Sequence, residues 1–260
     1  MTDALGSTLK ERVARGCKLL VPYITCGMPA PGSFVELYGR LAQNADAVEV
    51  GIPFSDPVMD GPVIQKSSAK ALEQGMTVDG CLSLISEAVG AAETPAVVMT
   101  YFNPVHSYGL ERFAKAAVDA GISGLIVPDL PYEESAELDQ AAGAEGLALI
   151  QLVAPTTSPE RASMLAAASR GWVYAVSRMG VTGERKSLAA SAKEVVARIK
   201  PHTDLPVLVG VGISSPELAA EAVTVADGVI VGSAVVGRVL DGEIDSAVAL
   251  VAAMRSAITG

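Results

Sequence analysis

Histidine is almost missing from this sequence, which carries only His106 and His202 in 260 residues. That excludes a histidine-rich metal centre and leaves little room for a Ser-His-Asp nucleophile. Cysteine is scarce too. Cys17, Cys26 and Cys81 are odd in number, scattered and without metal-ligand spacing, so they read as reduced thiols of a cytoplasmic protein. Basic residues are outnumbered by acidic ones, 19 to 29, for a formal net charge of −10. Such a balance argues against a nucleic-acid surface or a basic membrane-docking face. An anion would have to be held by local donors. No apolar run reaches the ~18–20 residues of a membrane-spanning helix, and the opening "MTDALGSTLKERVARG" lacks signal-peptide character.

What is abundant is hydrophobic residues, 50% of the chain, enough for a sizeable core. Short runs rich in Val and Ile alternate with longer Ala-rich stretches of helical period. The strand candidates are 18–26, 46–52, 95–101, 124–129, 147–154, 171–177, 205–211 and 227–233. Helical stretches fall at 33–43, 62–73, 111–120, 133–142, 158–169, 189–200, 215–225 and 243–258. Strand–helix alternation predicts a parallel sheet. Eight such units over 260 residues, with no linker between them, predict a single (β/α)8 TIM barrel domain spanning 1–260. A doubly wound open sheet is the alternative, because alternation alone does not show closure. Thr8 and Glu11 fit a capping box for an extra N-terminal helix that would plug the barrel floor.

The stretch "VEVGIPFSDPVMDGP", 48–62, holds Glu49, Asp56 and Asp60 among apolar residues, glycines and prolines. Alternation along the strand puts Val48, Val50 and Ile52 on one face and Glu49 on the other. The apolar triplet suits the helix-facing side, so Glu49 points into the barrel near its C-terminal mouth, where active sites of this fold sit. A carboxyl there is either bonded to a neighbouring strand or raised in pKa toward useful acid–base range. Asp60 reads on spacing alone first as a turn former, though its loop lets it reach the same cavity. Asp56, before Pro57, reads as an Asx-type turn.

Glycine-bearing turns follow the last three strand candidates: "GVTG" at 180–183, "GVGIS" at 210–214 and "GSA" at 232–234. The backbone N–H groups of Gly212, Ile213, Gly232 and Ser233 could cradle a phosphate, with a helix N-terminus adding its dipole. No Lys or Arg lies between His202 and Arg238, so amides and the Ser233 hydroxyl would do the holding. Loop 177–190 is polar and glycine-bearing, as suits either a lid or a solvated connection.

Together "PYITCGMP", "VEVGIPFSDPVMDGPVIQ", "VMTYFNPVHSYG", "LIVPDLPYEES", "SRMGVTG", "GVGISSPE" and "GSAVV" resemble the tryptophan synthase alpha chain family, in order, from about residue 8 onward. The resemblance implies a barrel lyase that cleaves indole-3-glycerol phosphate to indole and glyceraldehyde 3-phosphate. It implies no cofactor or metal in this chain. The partner would be a pyridoxal-phosphate-dependent beta chain in an alpha2-beta2 assembly, which receives the indole. Glu49 and Asp60 match the family's catalytic acids, which leaves Asp56 to shape the turn. Tyr174 and Tyr101 match site tyrosines, and Thr182 matches a loop threonine that bonds the loop aspartate. Gly183, Gly212, Ile213, Gly232 and Ser233 match its phosphate contacts. Asp129 is implied as an interior polar or interface residue. Three departures stand out: Val211 where Phe is usual, Met28 where Asp is frequent, and Asn44 for a usual Gly. The change at Asn44 is mild, because Asn tolerates the left-handed conformation that ends a helix. A stand-alone lyase releasing free indole, and a non-enzymatic activator of the beta chain, are the other readings.

Overall fold

The computed structural model describes residues 3–177 and 188–259. Helix α1 (Ala4–Ala14) opens it, started by Asp3, whose carboxylate accepts the Gly6 N–H at 2.8 Å. The capping box read at Thr8 and Glu11 does not form. Both residues lie inside α1 because Asp3 caps further upstream. The second Asp3 oxygen accepts the Gly171 N–H at 2.7 Å. Leu5 and Leu9 pack into the barrel's inner cluster with Trp172 and Ile150. α1 is therefore the floor plug that the sequence suggests.

Parallel strands β1 (Leu19–Thr25), β2 (Val48–Gly51), β3 (Ala96–Met99) and β4 (Ile122–Ile126) form one half of the sheet. The other half holds β6 (Gln151–Val153), β7 (Val173–Val176), β8 (Val207–Gly210) and β9 (Gly228–Val231). Strand β5 (Ala148–Leu149) pairs with β4, and β9 pairs back onto β1. The hydrogen-bonded order is β5-β4-β3-β2-β1-β9-β8-β7-β6. Its two ends are consecutive in the chain, separated only by Ile150. The predicted strand 147–154 is thus one strand broken in two, its first half paired with β4 and its second with β7. The ring closes through the covalent chain itself, which overturns the open-sheet alternative.

Around the ring run α2 (Pro31–Ala42), α3 (Pro62–Glu73), α4 (Val78–Ala92), α5 (Phe102–Tyr108) and α6 (Leu110–Asp119). Then come α7 (Ala136–Glu145), α8 (Pro159–Ala168), α9 (Leu188–Ile199), α10 (Pro216–Ala222), α11 (Ser233–Leu240) and α12 (Ile244–Thr259). Local chemistry sets several starts. Ser158 and Ser215 each cap a helix whose next residue is proline, accepting the Arg161 and Leu218 N–H groups. The reading of the sequence missed α4, α5 and α11. Gly80 and Gly90 dilute the helical signal of α4, Pro104 interrupts α5, and the valines of α11 read as a continuation of β9.

Val48, Val50 and Ile52 join the cluster between barrel and helices, whereas Ala47 and Val97 belong to the interior cluster. Alternation therefore aims Glu49 inward, as the pattern required. Met28 is buried in the core at 2% exposure. Asn44 is not left-handed: among the described residues only Glu93 and Val211 are non-glycines at positive φ. Helix α2 ends instead on Gln43 in the right-handed region, and the Asn44 carbonyl accepts from Arg255 Nε at 3.0 Å.

The floor is clamped by Asp46, whose side chain is fully buried. Its Oδ2 accepts the Leu20 N–H at 2.7 Å and a hydrogen bond from Arg255, and its Oδ1 sits in an ion pair 2.6 Å from Arg12 Nε. α1, β1 and α12 meet on this one carboxylate. Removing it takes the carboxylate partner from two guanidiniums, of which Arg255 keeps the Asn44 and Lys18 carbonyls. Asp46→Ala should cost about 3 kcal/mol in urea unfolding, the low end for a broken buried pair because both arginines keep some water.

Candidate active site

β2 delivers Glu49 into the barrel, 1% exposed, with Tyr23 as its register partner on β1. After β2 the chain runs into the loop that carries Asp60. Asp60 N–H donates to the Pro57 carbonyl at 3.0 Å and Val58 N–H to the Asp56 carbonyl at 2.9 Å, so the loop is a tight double turn. The Asp56 carboxylate accepts the Ser55 hydroxyl at 2.6 Å; its turn-shaping contact is thus with a side chain and its own carbonyl. The loop is pinned from β3's side. Tyr101, 3% exposed, accepts the Met59 N–H on its hydroxyl oxygen at 2.9 Å and stacks at 5.2 Å on Phe54. Asp129 holds the next turn by accepting the Phe102 N–H at 2.8 Å. Tyr101 reaches the site through Asp60's loop rather than through the cavity wall.

Glu49, Asp60, Tyr23 and Tyr174 face one cavity of about 610 Å³, together with Gly212, Ile213, Gly232 and Ser233. Sequence reasoning named all of these except Tyr23. A tyrosine between Pro22 and Ile24 looks like core, and only the pairing with Glu49 reveals it. Two glycines make room for the phenols. A β-carbon at Gly51 would lie 1.9 Å from the Tyr23 hydroxyl, and one at Gly210 would lie 2.2 Å from that of Tyr174. Each ring leans toward the mouth over a strand position without a side chain.

Burial dominates the electrostatics. The Glu49 carboxyl is pushed up to about 8, first by desolvation and then by the nearby Asp60 charge. Its Oε2 has no hydrogen-bond partner, so nothing on the protein side favours the ionised form there. Asp60 is also raised by burial, but the Tyr101 hydroxyl pulls it back down. Burial thus raises both acids, reinforced at Glu49 by the Asp60 charge and opposed at Asp60 by the Tyr101 hydroxyl, which separates their tendencies to ionise. Burial likewise keeps both Tyr23 and Tyr174 protonated.

The far end of the cavity is built from backbone. Gly232 is the N-cap of α11 and Ser233 its first residue, so the leading N–H groups of that helix have no intrahelical partner. Gly212 at φ 86° and Val211 at φ 73° turn the chain after β8, and Ser177 donates its hydroxyl to the Gly210 and Val211 carbonyls at 3.0 and 2.8 Å. No lysine or arginine lines the cavity among the described residues. This arrangement suits an anion held by amides and a helix dipole. Thr182 and Gly183, with most of the loop that carries them, lie outside the described residues. Among the described residues no group of His, Cys, Asp or Glu is placed to hold a metal, and no helix is long and apolar enough to cross a membrane.

The family model described as "Tryptophan synthase alpha chain" matches residues 9–257. The chain is similar to the tryptophan synthase alpha chain of Chloroflexus aurantiacus, 43% identical over 90% of this chain and 89% of that one. Similarity to the Streptomyces avermitilis alpha chain is 44% over 94% and 88%. Among solved structures, one of tryptophan synthase from M. tuberculosis superposes with a TM-score of 0.90 at 37% identity, covering 99% of each chain. Tryptophan synthase subunit alpha from Legionella pneumophila gives 0.88 at 37%, covering 100% of this chain and 99% of that one. The chain belongs to the tryptophan synthase alpha chain family.

Proposed function

We propose that this chain, folded as one barrel domain, is the lyase subunit that splits indole-3-glycerol phosphate into indole and glyceraldehyde 3-phosphate. The observation that carries the reading is the shared cavity: Glu49 and Asp60 face it in unlike surroundings, and Gly212, Ile213, Gly232 and Ser233 offer backbone amides suited to an anion. The glycerol phosphate would sit with its phosphate on Gly212, Ile213, Gly232 and Ser233, and with Gly183. The indole ring then lies between Glu49 and Asp60.

The bond to break joins indole C3 to a carbon that bears a hydroxyl, and an indole carbanion is a poor leaving group. Glu49 donates its proton to C3, giving an indoleninium that can accept the bonding electrons. The Glu49 carboxylate then takes the hydroxyl proton. The C–O bond becomes a carbonyl, the C–C bond breaks, and its electron pair returns to the ring, restoring neutral indole. Glu49 ends protonated, as it began. Asp60 stays ionised and stabilises the charge that develops at the indole N–H. Tyr101 keeps Asp60 in place through the Met59 N–H, Tyr174 lines the ring pocket, and Thr182 is proposed as a hydrogen-bond partner of Asp60.

A beta chain carrying pyridoxal phosphate, in a cytoplasmic alpha2-beta2 assembly, is the proposed recipient of the indole. Beside Asp60, Val58 and Met59 are 79% and 62% exposed, apolar side chains at the cavity mouth that suit a covering partner. The test is indole release with and without added beta chain. Release that rises strongly on addition is expected. Equal release in both would favour the stand-alone lyase, and none in either would reduce the chain to a non-catalytic activator.

A further inference from the structure

Tyr23 faces Glu49 from β1, and the mechanism above leaves it without a task. Tyr23 and Glu49 are register partners in parallel strands, so their side chains leave the same face of neighbouring strands. The phenol does not stand upright beside the carboxyl. It leans across β2 into the slot at Gly51, two residues beyond Glu49 toward the mouth, on the side from which Asp60 approaches. Its ring is 5% exposed and lines the cavity. The slot costs the chain a side chain at the end of a fully buried strand.

We propose that Tyr23 is a positioning residue for the proposed cleavage, its O–H donating to the Glu49 carboxylate when Glu49 has given its proton to the substrate. The resting carboxyl needs no such donor, because it carries its own proton. The ionised one does: its Oε2 is buried and has no partner, and an unpartnered buried carboxylate is costly. The remaining neighbours do not meet the need. Asp60 is an anion, and Tyr174 comes from β7 with its hydroxyl over Gly210. Met99, Leu152 and Ile230 from β3, β6 and β9 are apolar. Thr25, next on the same face of β1, is the register partner of Gly51 rather than of Glu49, and the Tyr101 hydroxyl is engaged by the Met59 N–H. Among the described residues no Lys or Arg in the cavity wall competes for the role. The Tyr23 phenol, protonated by virtue of its burial beside two acids, is the donor at hand.

This inference rests on the lyase reading, and its test separates the two. Tyr23→Phe keeps the ring and removes only the hydroxyl. The expected result is a fall in kcat of roughly 10- to 100-fold with KM nearly unchanged. The high-pH limb of kcat/KM should move up by about one pH unit, since losing a donor to the carboxylate favours its protonated form. Gly51→Ala leaves the phenol in the molecule but expels it from the slot, and should reproduce both changes. The infrared carbonyl band of the Glu49 acid reports the same upward move without turnover. Wild-type protein that releases no indole would sink the lyase reading, while the infrared titration would still judge Tyr23. An unmoved titration and pH limb in both variants, whatever happens to kcat, overturns the assignment.

Discussion

Glu49→Gln lowers indole release by roughly 10²–10⁴-fold, the span general acid–base catalysis contributes, while the protein still folds and still binds inorganic phosphate. Glutamine keeps the shape of the side chain and removes its titratable proton. The anion seat is assembled from the turn after β8 and the start of α11, elements that Glu49 does not support, so phosphate binding followed by calorimetry should be unchanged. A second signature comes from linkage. The folded-state value of about 8 stands above the ordinary 4.5. Between those two pH values the unfolded chain has released a proton that the folded chain keeps, so stability falls as pH rises through that window. Glutamine removes the penalty. The variant should be more stable than wild type by a few kcal/mol at pH 8.5 and nearly equal to it at pH 4. Urea unfolding at the two pH values reads the difference. Equal stability at both would mean that Glu49 is solvated.

Asp60→Asn should cost roughly 10²–10³-fold in kcat, the usual toll of losing one preorganised electrostatic partner of a developing charge. The pH profile distinguishes this from mere disruption of the loop. Asp60 is raised by burial and must be ionised to act, so it sets the low-pH limb of activity. Asparagine abolishes that limb. The Asp60 charge also helps to raise Glu49, so the high-pH limb should move to lower pH in the variant, the opposite direction to Tyr23→Phe. A profile that keeps its low-pH limb would assign that ionisation to another group. Tyr101 still holds the loop through Met59, so the fold around the site should survive.

The two acids were legible before any coordinates because their placement follows from local rules. Period-two alternation over 46–52 turns Glu49 inward once Val48 and Val50 are given to the helices, and the ring of strands bears this out. The glycine turns announced a backbone-built seat, and Gly212, Ile213, Gly232 and Ser233 do line the cavity. What escaped has equally physical causes. The break at Ile150 arises because one strand must pair with two neighbours as the ring closes, a non-local demand with no signature in 147–154. Tyr23 needed the β1–β2 register and the vacancy at Gly51. Helix α11 was hidden by β-branched valines, which prefer strands until tertiary packing overrides them. Val211 at φ 73° is a β-branched residue where the backbone disfavours one, and no pattern in "GVGIS" marks it.

All of this turns on Glu49 holding its proton at neutral pH inside the barrel. The most direct measurement is an infrared titration of protein labelled at glutamate, with the Glu49→Gln variant subtracted. A protonated carboxyl band that persists at pH 7 and disappears around pH 8 is the result this account predicts. A band already lost near pH 4.5 would show an ordinary solvated carboxylate and contradict it.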